Sequence, residues 1–225
     1  RDPPPGDPGA DPVRGLQRVE GPSLAQLTAP ERDIDLAADA AALRAQLAYL
    51  ERSSPFYRER LAGARTLEDA PLLTKSELRA SQAARPPFGE HLCAPREALV
   101  RMHVTSGTTG DPVAIGLTRA DHEANSVIGG AAFAIAGVRD SDLIAHCLNY
   151  ALYAGGIADH MALEASGATV VPVGVGQSQR LLDLIPRLGL TAIYGTLSFP
   201  AHLAGRARDA GIDPAALGLR HIVTA

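Results

Sequence analysis

Three features of the sequence predict an α/β protein, with a mostly parallel sheet covered by helices and a helical subdomain ahead of it. Beyond residue 118, short apolar or β-branched runs alternate with helical patterns four times. A stretch dense in Gly, Ser and Thr at 104–112 is flanked on both sides by period-two alternation, the mark of strands. Ahead of it, apolar residues recur at three- and four-residue spacing, as in helices that face a core. Strands separated by helices pair in parallel, because the helix supplies the crossover and covers the sheet face.

The elements follow in order. Residues 1–30 are rich in proline, with Pro3-Pro4-Pro5 and repeated Asp-Pro, and read as a linker or disordered arm. Residues 31–88 read as a helical N-terminal subdomain and 89–225 as an α/β core. Leu36, Ala40, Leu43, Leu47 and Leu50 line one face of a helix over 34–52, ended by Ser53-Ser54-Pro55. Further helices are expected at 57–61 and at 76–84, the latter capped by Thr74 or Ser76. Ala98, Val100, Met102 and Val104 alternate along one strand, and Val113, Ile115 and Leu117 along the next. Thr118 and Asp121 form a capping-box-like start to a long helix that Gly137 ends. Strands are then predicted at 143–148, 169–173, 191–194 and 220–224. Helices are predicted at 156–166, 178–188 and 200–210, stopped by Gly167, Gly189 and Gly211.

Composition narrows the function. Hydrophobic residues make up 46% of the 225, ample for a core. A formal charge of −4 without blocks of like charge carries no footprint for nucleic acid or an anionic membrane, so neither is an expected partner. No apolar run reaches the length of a membrane span, and proline occupies the N-terminal stretch where a secretory signal needs an apolar core, so a cytoplasmic protein is expected. Cys93 and Cys147 stand far apart without a Cys-x-x-Cys, which argues against a zinc site or disulfide framework.

The loop carries the chemistry. Val104-Thr-Ser-Gly-Thr-Thr-Gly-Asp-Pro112 offers backbone N–H groups in glycine-bounded turns and hydroxyls from Thr105, Ser106, Thr108 and Thr109. Such a concavity suits a polyphosphate, with Thr105, Ser106, Gly107, Thr108, Thr109 and Gly110 as its donors. It joins strand to strand, so it is neither a Walker loop nor a dinucleotide fingerprint, both of which open a helix. The plain alternative is a hairpin loop built from ordinary turn residues. Ligands of open parallel sheets bind beyond the carboxyl ends of the strands. There Tyr150 and Tyr153 offer an aromatic face with a polar tip. His146 and His160, read without a paired carboxylate at informative spacing, are expected to be structural.

Thr105-Ser-Gly-Thr-Thr-Gly-x-Pro112 resembles the phosphate loop of the adenylate-forming superfamily of acyl-CoA synthetases, adenylation domains and luciferases. Ser54-Pro-Phe-Tyr-Arg58, Leu72-Leu-Thr-Lys-Ser-Glu-Leu-Arg79 and Pro95-Arg-Glu97 resemble the N-terminal half of phenylacetate-CoA ligases, as do Tyr150-Ala-Leu-Tyr-Ala-Gly-Gly156 and Gly176-Gln-Ser178. The resemblance implies a partial N-terminal domain of an adenylate-forming enzyme. It also implies ATP with Mg²⁺ and coenzyme A as cofactors, and a small carboxylic acid, aryl or arylacetic, near Tyr150, Tyr153 and Gly155. The reaction implied is acyl-adenylate formation followed by thioester formation. The carboxylate is already ionised near neutrality, so no protein base is required, and neither a catalytic residue nor a metal ligand is assigned. Tyr194-Gly195-Thr196 is similar to a later motif of the superfamily but lacks its glutamate.

Two departures follow from the resemblance. Asp111 and Val113 flank Pro112 where the family places a cation, so weaker ATP binding is expected. The family's later motifs fall beyond Ala225, which implies a truncated or split ligase, unable by itself to complete adenylation. A homodimer or a complementing C-terminal half is the partner this implies. Two alternatives stand beside this reading: an adenylyl transferase or adenylation unit loading a carrier-protein thiol, and a catalytically silent binding module that needs a partner chain.

Overall fold

The computed structural model describes residues 23–29, 36–105, 111–152 and 154–224. The chain divides into two compact units, one of residues 1–21 and 33–121, the other of 22–32 and 122–225.

In the first unit, α2 (Leu36–Ser53) and α3 (Pro55–Arg60) enclose Leu47, Leu61 and Ala64, with Leu43, Leu50 and Tyr57 packed against them. The turn between them is set by Ser54, whose hydroxyl oxygen accepts from Tyr57 N while its hydrogen goes to the Glu90 carbonyl at 2.6 Å. Pro55 then sits at the first helical position, where its missing N–H costs nothing. Helix α4 (Lys75–Ala84) opens on a capping box: Thr74 accepts from Glu77 N, and the Glu77 carboxylate accepts from Thr74 N at 2.7 Å. The Thr74 hydroxyl and amide, aided by Arg60, hold the Glu77 carboxyl down at about 2. Strands β1 (Leu99–Val104) and β2 (Ala114–Thr118) form an antiparallel pair with Val104 opposite Ala114.

In the second unit, four strands pair in the order β4-β3-β5-β6, all parallel: β3 (Leu143–His146), β4 (Thr169–Pro172), β5 (Ala192–Gly195) and β6 (His221–Thr224). Helices α6 (Ala154–Ala165), α7 (Ser178–Leu188) and α8 (Phe199–Asp209) alternate with them. A one-turn helix α1 (Leu24–Leu27), capped by Ser23, also belongs to this unit. Helix α5 (Arg119–Ile135) is capped as its sequence predicts, with Thr118 N donating to the Asp121 carboxylate at 2.8 Å. The boundary between units falls inside it, after Asp121.

The pleat sorts the parallel sheet into two cores. Ala145, Cys147 and Ile193 face Leu181, Leu182 and Ile185 of α7 and Leu203 and Ala207 of α8. Ile144, Ala192 and Tyr194 face Leu163 of α6, with Phe133 of α5 packed against that cluster. Helices α5 and α6 approach closely because Gly129 stands where a Cβ would lie 2.5 Å from that of Ala162.

At the amino end of the sheet, buried Asp142 accepts from the Thr191 hydroxyl at 2.7 Å, the Arg139 amide at 2.9 Å and the Arg220 guanidinium at 2.8 Å. Thr191 in turn accepts from Leu143 N at 3.0 Å, so one carboxylate ties together the starts of β3, β5 and β6. Burial opposes ionisation of Asp142, yet Thr191, Arg139 and Arg220 together hold its carboxyl below the usual range. Among the described residues no helix is long and apolar enough to cross a membrane.

Candidate functional site

In the first unit the stem of the predicted phosphate loop is closed twice over. Thr105 N donates to the Val113 carbonyl at 3.0 Å, and Val113 N donates to the Thr105 hydroxyl oxygen at 2.9 Å. Of the two Thr105 donors, these bonds leave the hydroxyl hydrogen for a ligand. Ser106, Gly107, Thr108, Thr109 and Gly110 lie outside the described residues.

Helix α4 holds the exit strand of this loop. Gln82 pairs with Ala114 as another strand would, donating to its carbonyl at 2.7 Å and accepting from its amide at 2.9 Å. Arg79 Nε donates to the Asp111 carbonyl at 2.8 Å. Its Nη2 is buried and has no hydrogen-bond partner among the described residues. A guanidinium with a donor that is unpartnered among the described residues thus stands beside Asp111, where the resemblance implies a cation. An orphaned buried donor of this kind fits an anionic phosphate. Among the described residues no group of three His, Cys, Asp or Glu side chains is placed to hold a metal ion.

In the second unit a polar and aromatic cluster sits at the carboxyl ends of β3 and β5. His146, the last residue of β3, is 0% exposed, with ring centroids 4.8 Å from Tyr150, 5.2 Å from Tyr194 and 5.9 Å from His160. Neither of its ring nitrogens has a hydrogen-bond partner among the described residues. Burial, reinforced by His160, pushes its imidazole down to about 4, so it is neutral near pH 7. The Tyr150 hydroxyl lies 2.9 Å from His160 Nδ1, and His160 Nε2 lies 3.2 Å from the Glu164 carboxylate. The Tyr194 hydroxyl donates to Asp159 at 2.8 Å, and burial raises that carboxyl despite the bond. Burial likewise raises the Tyr150 phenol to about 12.

The turn that delivers Tyr150 depends on Gly156 in the first turn of α6. A Cβ there would collide with the Asn149 carbonyl and come within 2.8 Å of Tyr150 Cα, so only glycine lets the loop cross the helix start. Gly155, beside it, is half-buried. Tyr153 lies outside the described residues.

The structure changes the view of one of the two histidines. His160 does have a carboxylate partner, Glu164, one helical turn on, and i,i+4 spacing on a helix was the available signal. Tyr194, from the stretch that lacks the later motif's glutamate, closes the same cluster through Asp159. Arg79 and Gln82 reach residues 32 positions away and left no trace in local pattern. Cys93 and Cys147 are free thiols that burial pushes up to about 11 and about 12, unreactive near neutrality.

No family model matches the chain. The phenylacetate-coenzyme A ligase of Thermus thermophilus is 35% identical over 191 residues, 80% of this chain and 42% of its own length. That of Pseudomonas putida is 34% identical over 188 residues, with 79% and 42% covered. A crystal structure of 2-hydroxyisobutyryl-CoA ligase in the postadenylation state with 2-HIB-AMP superposes with a TM-score of 0.77 at 32% identity, covering 89% of this chain and 44% of the other. The chain spans about two fifths of the length of these curated relatives. Over that length it is a phenylacetate-CoA ligase-like member of the adenylate-forming superfamily.

Proposed function

We propose that the chain serves ATP-dependent, AMP-forming activation of a carboxylic acid, of aryl or arylacetic type, with transfer of the acyl group to coenzyme A. The observation that carries this reading is the pair of hydrogen bonds between Thr105 and Val113, which joins the two ends of the Gly-, Ser- and Thr-rich segment on a chain homologous to such ligases. A 32% identical neighbour, 2-hydroxyisobutyryl-CoA ligase, was captured with 2-HIB-AMP and CoA in the thioesterification state.

In this reading the acid's carboxylate oxygen attacks the α-phosphorus of ATP and pyrophosphate leaves. The CoA thiolate then attacks the acyl carbon and AMP leaves. Thr105 to Gly110 donate to the phosphates, and Arg79 Nη2 adds the charge that Asp111 withholds. Because the transition state gathers charge on phosphate oxygens, fixed donors lower the barrier without a protein base. The nucleotide's own phosphate oxygens would hold Mg²⁺, which would supply further charge neutralisation there. Tyr150, Tyr153 and Gly155 border the acid.

Titration of the chain and its variants with MgATP tests the loop. Arg79→Ala is expected to weaken binding by about tenfold, the worth of one charge-assisted hydrogen bond, and Asp111→Lys to tighten it several-fold. Equal affinity in all three proteins would remove the nucleotide from this loop. With an arylacetate present, acid-dependent pyrophosphate release is the accompanying readout.

A further inference from the structure

Hydrogen-bond polarity along Glu164, His160 and Tyr150 runs in one direction. A carboxylate only accepts, so the Glu164 oxygen 3.2 Å from His160 Nε2 requires Nε2 to carry a proton. A neutral imidazole so protonated has its lone pair on Nδ1, and that nitrogen lies 2.9 Å from the Tyr150 hydroxyl. With the imidazole in that neutral form, Tyr150 donates and its only hydroxyl hydrogen points at His160. What remains on that oxygen is lone-pair density.

We propose that His160 and Glu164 are positioning residues that set acid selectivity. By taking the Tyr150 hydroxyl hydrogen they leave an acceptor at the carboxyl end of β3, which favours an acyl group bearing a hydroxyl or N–H donor there. The inference rests on Tyr150 bordering the acid, as in the function proposed above. The chemistry is asymmetric. An acid with a donor at this point gains a hydrogen bond, an acid with an acceptor or second carboxylate meets like charge density, and an unsubstituted ring gains apolar contact alone. The acid's own carboxylate is excluded from Tyr150 on the same ground and must be held elsewhere. His146, whose ring lies against both Tyr150 and His160, adds an aromatic wall without competing for the hydrogen through any described bond.

Two measurements on the 225-residue chain test this. Side-chain ¹⁵N NMR reads the His160 tautomer: Nε2–H with bare Nδ1 is expected, and Nδ1–H would overturn the inference. Binding is then compared for hydroxy- and fluoro-phenylacetates substituted at each ring position. Wild type is expected to prefer one hydroxy isomer over its fluoro counterpart by about tenfold. His160→Asn, whose amide oxygen replaces Nδ1 as acceptor, retains that preference. His160→Gln, which reaches the Nε2 position but leaves Tyr150 unpartnered, loses it. Equal preferences in the Asn and Gln variants overturn the inference. A preference lost in Tyr150→Phe but kept in His160→Gln overturns it while leaving the pocket intact. Affinities unmoved by Tyr150→Phe, or no binding of any probe acid, overturn the pocket reading and this inference with it.

Discussion

At the amino end of the parallel sheet, Asp142 is 1% exposed and accepts three hydrogen bonds from Thr191, Arg139 and Arg220. At the carboxyl end, His146 is 0% exposed, and neither ring nitrogen is bonded among the described residues. Both are buried titratable groups on or beside β3, four residues apart in sequence. A buried polar group satisfied on every side contributes to stability, because its desolvation is offset by bonds that the unfolded chain makes only to water. One left unsatisfied costs free energy and persists where structure elsewhere sustains it, which is the usual condition of a ligand site. The sheet thus has a fully bonded buried carboxylate at one end and, among the described residues, a buried imidazole without a hydrogen-bond partner at the other.

The largest way to break this contrast is Asp142→Ala. It removes the buried acceptor of the Thr191 hydroxyl, the Arg139 amide and the solvent-exposed Arg220 guanidinium, and is expected to lower the unfolding free energy by about 3 kcal/mol in urea titrations. A cost no larger than that of His146→Phe would erase the difference between the two ends.

The next concerns pH. The folded chain holds His146 near 4, whereas the ordinary histidine value is 6.5. Between these values the unfolded chain binds a proton that the folded chain refuses, so stability falls as pH drops through that window. The loss approaches about 2–3 kcal/mol by the lower limit. Urea midpoints of His146→Phe should decline less than those of wild type from pH 7 to pH 4.5. Parallel declines would mean that the imidazole is not held neutral by burial. Asp142 acts at a different place: its depressed carboxyl contributes stability above the ordinary aspartate range and loses it as pH falls further.

The smallest effect is that of Tyr194→Phe. Loss of its bond to half-buried Asp159 should cost about 1 kcal/mol, with little change at Asp142. A cost near that of Asp142→Ala would make the carboxyl end as much a stability device as the amino end.

Much of the fold was legible because it is local. The helix expected over 178–188 is α7 to the residue, since Gly189 adopts the left-handed backbone that ends a helix, with φ 67°. The strand expected over 143–148 is shorter, Leu143–His146, although Cys147 N still donates to the Tyr194 carbonyl at 2.8 Å. Strand ends depend on where the neighbour stops, which alternation does not encode. Within the candidate site, the loop motif and Tyr150 stood out by residue type. Arg79 on Asp111 and Tyr194 on Asp159 join positions 32 and 35 apart, and no periodicity links them.

The chain's own order of residues determined most of its strands and helices and the parallel arrangement of β3 to β6. Each follows from backbone preferences and side-chain period within a few turns of chain. Only tertiary structure decided that a guanidinium from α4 accompanies Asp111, that Asp142 is satisfied while His146 has no hydrogen-bond partner among the described residues, and that Glu164, His160 and Tyr150 stand in one hydrogen-bonded row. Those outcomes depend on which groups packing brings within about 3 Å of one another, because hydrogen bonds and desolvation act only at that range.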